Sequence, residues 1–189
     1  MRWFLDMCII LYYIGEGDKP DFNKKTKKFV QEKKENNFLL CYYIKDINLP
    51  KWLDRQKIIL REIIKKLQDD SYPLYTSQES SKLTNQDKKK LIKLLMLSKS
   101  VTNKEESVNK IIRIFSEIER RINYFLQNYI DEFVIPISEI DFELKSHLFT
   151  FLNLGNAITN DSDAKTIASA IQEHNKRELT IITADKKDW

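Results

Sequence analysis

Glycine and proline are scarce in this sequence, three and four residues in 189, and that scarcity excludes several architectures. A sandwich or a barrel needs many tight turns, which draw on both residues. A disordered chain is excluded too, because 42% of the residues are hydrophobic, enough to bury one ordinary core. Helix is therefore expected to dominate a single domain. The two cysteines, Cys8 and Cys41, each lie inside an apolar run, where a small buried thiol is commoner than a disulfide partner or a metal ligand. Only His147 and His174 are present, with no C-x-x-C pair, which argues against zinc. No run approaches the roughly 18 apolar residues of a membrane span. Arg2 is the only basic residue before a short apolar stretch that Asp6 interrupts, unlike a signal peptide. A soluble, cytoplasmic protein with no membrane partner is expected.

Charge is present in quantity but is nearly balanced. The net value is +4, too mild by itself to name a nucleic-acid binder. Its distribution says more: lysines cluster in "KKTKK" from Lys24 to Lys28, at Lys33 and Lys34, at Lys65 and Lys66, and from Lys88 to Lys90. Each run is first of all a solvated helix face. The acids of interest fall at the ends of predicted strands.

The dense apolar run "RWFLDMCIILYYI" suggests a strand covered on both faces, near Trp3 to Leu5. Turn signals from Gly15 to Asp21 lead into an amphipathic helix ending near Asn36, with Phe22, Phe29 and Val30 inward. A second strand is predicted from Asn37 to Ile44 and a helix from about Pro50 to Gln68. Polar residues from Asp69 to Ser81 form a loop. Apolar spacing then predicts helices from Asn85 to Lys99 and from Lys104 to Tyr129. "FVIPI" from Phe133 to Ile137 is a third strand, followed by a helix from about Asp141 to Leu154 that Gly155 ends. A last helix begins at Asn160, Asp161 or Ser162, and Leu179 to Thr183 is the fourth strand. Alternating strands and helices imply a three-layer α/β/α fold with a central, mostly parallel four- to five-stranded sheet. The helical pair within about 84–130 reads as an insertion in it.

In an open parallel sheet, ligands bind beyond the carboxyl ends of the strands. Asp6 follows the first strand, Asp185 follows the fourth, and Asp163 opens a helix whose Ile167, Ala168, Ala170 and Ile171 face the sheet. If the first and fourth strands are neighbours, the three carboxylates share one rim. Clustered carboxylates repel one another and need neutralising. An oxygen-only set suits Mg²⁺ or Mn²⁺. Singly, each acid also has a plain reading: a turn residue for Asp6, a helix-start charge for Asp163, a loop residue for Asp185.

With these residues placed, "WFLDMCIILYY", "DAKTIASA" and "IITADKKDW" resemble the first-strand Asp, the D-A-x-x-x-A-x-A helix start and the T-x-D-x-D-F ending of the PIN-domain ribonucleases. The resemblance covers roughly the first 45 and last 60 residues. It implies an α/β/α fold, a Mg²⁺ or Mn²⁺ cofactor and endonucleolytic hydrolysis of RNA, leaving a 5′-phosphate and a 3′-hydroxyl. It further implies Asp6, Asp163 and Asp185 as metal ligands, with Thr183 orienting the last. Because many members are toxins of toxin–antitoxin pairs, an antitoxin-like protein joins RNA among the implied partners.

The family's second acid lies on the helix after strand 2, where Glu62 in "ILREII" is the best match for a further catalytic acid and Asp46 the runner-up. Asp188 or Glu62 is the candidate to orient or deprotonate the attacking water. The family usually has Thr or Ser after the first Asp, but Met7 stands there, so a weakly active or inactive PIN-like RNA-binding or scaffold protein is the alternative. A phosphatase or receiver-type protein with Asp6 as phosphate acceptor is a second competitor. Cys8 stands where such a phosphatase would carry its second Asp. For the helical pair two roles stay open: a clamp or homodimer face, or RNA docking through Lys88, Lys89, Lys90, Lys93 and Lys99.

Overall fold

The computed structural model describes residues 1–17, 19–99, 103–135 and 161–184, with backbone only for residue 99 and for residues 161–164. The predicted helix from Asp141 to Leu154 lies outside the described residues. The chain divides into two compact units, one of residues 1–49 and 122–189, the other of residues 50–121. The sequence reading had one domain with an insertion starting near 84. The compact helical unit begins at Pro50 and includes the helix that follows strand 2.

The first unit is an α/β fold around a four-stranded, all-parallel sheet in the order β3-β2-β1-β4. Its strands are β1 (Arg2–Leu5), β2 (Asn37–Cys41), β3 (Glu132–Val134) and β4 (Thr180–Ile182). Its helices are α1 (Met7–Ile14) and α2 (Pro20–Glu32), with α6 (Asp161–Lys176) leading into β4. Side chains alternate across a strand, and the alternation in β1 assigns the layers. Trp3 stacks on Phe29 of α2 at 4.9 Å, so α2 covers that face. Arg2 points the other way and meets Glu173 of α6 at 3.1 Å, so α6 covers the opposite face. Phe4, Phe38, Leu39 and Leu40 between these layers are fully buried. This is the three-layer α/β/α arrangement that the alternating elements imply.

Several boundaries differ from the sequence reading: α2 ends at Glu32 rather than near Asn36, and two further differences bear on the site. β2 stops at Cys41 rather than Ile44, and residues Ile44–Asn48 wind as a π-helical turn. The apolar run after Asp6 is a helix, α1, closed by Gly15 in the left-handed region at φ 88°. A glycine there avoids the Cβ penalty of that conformation.

The second unit is helical: α3 (Leu49–Gln68, one residue of it in the first unit), α4 (Asn85–Lys99) and most of α5 (Lys104–Tyr129). Ile59, Ile63, Leu91, Leu95, Ile111, Phe115 and Ile118 are among its buried apolar residues. α4 starts at a reciprocal cap. Thr84 Oγ1 accepts from Asp87 N at 3.2 Å and donates to Asp87 Oδ2 at 2.7 Å, while Arg55 Nε meets the same carboxylate at 2.9 Å. Among the described residues no helix is long and apolar enough to cross a membrane.

Candidate metal and catalytic site

Parallel strands put all their carboxyl ends on one edge. The chain runs outward from β1 to β2 and β3, then returns to the other side of β1 for β4. Strand order therefore reverses between β1 and β4, and ligands of open α/β sheets bind at such a switch point. The condition set by the sequence is met, since Leu5 pairs with Ile182. The residues that follow both strands start from the same rim.

Asp6 sits at the switch point. Its N–H continues the ladder to Ile182 O at 3.1 Å, and its carbonyl accepts from Ile9 N at 3.1 Å. It occupies the N-cap position of α1, where an Asp side chain usually accepts a backbone N–H of the first turn. No such capping bond forms. Instead Oδ2 accepts from Thr183 Oγ1 at 2.9 Å and from Cys8 Sγ at 2.9 Å. Among the described residues, Oδ1 accepts no hydrogen bond. The carboxylate is thus held by one oxygen and presents the other, which a plain turn residue does not require.

Cys8 is the member of the site that sequence reasoning missed. Its sulfur also accepts from Ala184 N at 3.2 Å, which fastens the start of α1 to the end of β4. Burial, then the neighbouring Asp6 charge and hydrogen bond, push the thiol up to about 12. At neutral pH, with no metal bound, it is a protonated donor rather than a nucleophilic thiolate. The only sequence signal was its place two residues after Asp6. Thr183, expected to orient the last acid, donates here to the first.

Asp163 lies in the first turn of α6, but its side chain is outside the described residues. Asp185 and Asp188 lie wholly outside them. α6 is anchored by buried Ile167, Ala168 and Ala170. Two residues past Asp163, Lys165 Nζ stands 5.4 Å from the Tyr43 ring centroid at the end of β2. The first turn of α6 therefore lies near the carboxyl end of β2. Among the described residues no three His, Cys, Asp or Glu side chains gather to hold a metal. Of the three expected ligands, Asp6 alone has a described side chain. Its open carboxylate oxygen fits a hard cation such as Mg²⁺ or Mn²⁺.

Glu62 has another occupation. It is 1% exposed within the helical unit, and both oxygens are engaged there. Oε1 accepts from Tyr72 Oη at 3.1 Å and Ser77 Oγ at 2.9 Å, and Oε2 accepts from Tyr75 N at 2.9 Å. Tyr75 is held at φ 67°, a left-handed conformation that costs a non-glycine residue about 1–2 kcal/mol. Glu62 thus anchors the 72–77 loop, a task that accounts for its burial without catalysis. Asp46, the runner-up, is exposed in the π-helical turn after β2 and belongs to the same unit as Asp6.

The lysines proposed for RNA are not equivalent. Lys89 and Lys93 are exposed. Lys88 is half-buried with Nζ 5.5 Å from the Tyr75 ring centroid. Lys90 is committed inward: Nζ donates to Gln56 Oε1 at 2.7 Å and stands 5.6 Å from the Trp52 ring. The expected stripe from Lys88 to Lys90 is therefore broken at Lys90, because helical spacing turns that residue toward α3. The side chain of Lys99 is outside the description.

The fold and this rim define an all-parallel α/β protein with a carboxylate at its switch point. No family model, curated protein or solved structure matches the chain.

Proposed function

We propose that this chain is a Mg²⁺- or Mn²⁺-dependent endoribonuclease, with a PIN-like site at the carboxyl ends of β1 and β4. One observation carries the reading. Asp6 stands at the topological switch point, does not cap the helix that it precedes, and offers Oδ1 while Thr183 and Cys8 hold Oδ2. Two donors on one oxygen fix the side-chain rotamer, so the other oxygen is aimed before any ligand arrives. Asp163 and Asp185 join it by resemblance. A divalent cation, when bound, supplies neutralisation of phosphate charge and activation of water. RNA is the substrate on this reading, and an antitoxin-like protein or a second copy of the chain is a candidate partner.

The weakly catalytic RNA-binding protein is kept as a second reading on one observation: half-buried Met7, not a hydroxyl residue, follows Asp6. The two are separated by incubating the full chain with total RNA and Mn²⁺, with an EDTA control, and mapping the ends. Cuts that require Mn²⁺ and carry a 5′-phosphate and a 3′-hydroxyl support the nuclease. RNA retained without cutting supports the binding protein, and neither cutting nor retention overturns both.

A further inference from the structure

The chain leaves β2 in an unusual way. Tyr43 is already helical at φ −59° and ψ −38°, and Ile44–Asn48 then wind as a π-helical turn before α3. Such turns are rare and recur at functional sites. Here the turn sets two adjacent tyrosines, Tyr42 and Tyr43, half-buried at the carboxyl end of β2. They lie one strand across from Asp6, because Leu40 pairs with Leu5.

Cations surround these rings. Phe133 of β3, also half-buried, lies 5.3 Å from Tyr42 at an interplanar angle of 33°. Lys45 Nζ stands 5.2 Å from the Tyr42 centroid and 4.4 Å from that of Phe133. Lys165 Nζ stands 5.4 Å from Tyr43. Phe4 and Phe38, packed between the layers, are by contrast at 0% exposure. Three partly open rings with two ammonium groups, next to the switch-point carboxylate, need a different account.

We infer that Tyr42, Tyr43 and Phe133 form a base-stacking platform for single-stranded nucleic acid, with Lys45 and Lys165 meeting backbone phosphates. The inference rests on reading the adjacent rim as a phosphodiesterase, and it names the strand form which that site takes. Every base has a π-face, so such a platform binds without reading sequence, and ammonium groups beside it attract the backbone. Bases in a duplex are stacked on each other and cannot splay onto protein rings. The platform therefore selects single strands.

The test is a binding titration of the full chain in EDTA, so that no cutting intervenes. The probes are a labelled oligouridine of about ten residues, an abasic strand of the same length and charge, and an RNA duplex; each stacked base is worth about 5- to 150-fold in affinity. The oligouridine binds at least about tenfold tighter than the abasic strand and the duplex. The ratio falls toward unity in Tyr42→Ala and Tyr43→Ala and is kept in Tyr42→Phe and Tyr43→Phe, whose rings still stack. Equal affinity for base-bearing and abasic strands in the wild type overturns the platform, as does tighter binding of duplex. That comparison needs no variant to fold. A parallel Mn²⁺ cleavage assay separates the two claims: base preference without cutting keeps the platform and removes the nuclease, and cutting without base preference does the reverse.

Discussion

Two acids interrupt apolar runs in this chain, Asp6 in "WFLDMCII" and Glu62 in "ILREII", and the two compact units use them differently. Glu62 is surrounded by its own unit, with three donors on its two oxygens and 1% exposure. Asp6 is half-buried with both donors on a single oxygen. A buried carboxylate that is fully hydrogen-bonded holds structure together. One that is steadied on one side only is prepared for something else. Counting donors per oxygen thus separates the anchor from the candidate ligand, where sequence pattern treated the two alike.

The sharpest way to break this contrast is Asp6→Asn. The account expects cleavage to fall by more than about 100-fold, since loss of even an outer-shell partner of a metal ligand costs 10- to 100-fold. Thermal unfolding of the metal-free protein should hardly change, and a large loss of stability would make Asp6 a structural residue. Glu62→Ala is the mirror image. It strands Tyr72, Ser77 and the Tyr75 N–H, so unfolding should become easier by about 2–4 kcal/mol. Cleavage per folded molecule should persist, and its abolition would return Glu62 to the catalytic set.

A third test probes the opposite end of the sheet from Asp6. Arg2 is 8% exposed and bonds Glu173 at 3.1 Å and Glu132 at 3.4 Å. The Lys176 hydrogen bond, aided by Arg2 and opposed by burial, holds the Glu173 carboxyl below its usual range. A depressed carboxylate stabilises the fold above its unfolded pKa of about 4.3, and that contribution is lost as pH falls through the folded value. Arg2→Met should cost about 2–3 kcal/mol at neutral pH and should flatten the acid limb of a melting curve below about pH 4. An unchanged acid limb would show that Lys176 alone sets the carboxyl.

The smallest effect concerns the helical unit. If α4 meets RNA, Lys89→Ala should flatten the salt dependence of binding by up to about 0.7 log units on a single strand. Lys90→Ala should leave the slope alone and lower stability slightly, because its ammonium is spent on Gln56. Equal slopes in wild type and Lys89→Ala return α4 to a solvated face.

Much of the fold was legible, for stated reasons. The bounds of α4 and α5 follow from apolar spacing, and β1 from an apolar run with a charge at its end. α1 was hidden because Met7–Ile14 is apolar on nearly every side, with no helical period to betray it. β2 was read too long because Tyr42 and Tyr43 suit strands, and a π-helical turn leaves no signature in the sequence. Asp6 stood out as a lone charge before its partners were known. Cys8 did not, since its bonds to Asp6 and Ala184 exist only once β4 lies beside β1. The structural role of Glu62 was not legible, because its donors come from the 72–77 loop, which no pattern in the sequence ties to it.

The central claim is that Asp6 Oδ1 is a metal ligand at the switch point of the sheet. Anomalous diffraction from crystals soaked in Mn²⁺ addresses it directly. The account predicts a peak within about 2–2.5 Å of Asp6 Oδ1, as expected for a hard cation on oxygen, and no peak in Asp6→Asn crystals soaked alike. A peak that survives in Asp6→Asn, or none at Asp6 in the wild type, would contradict it.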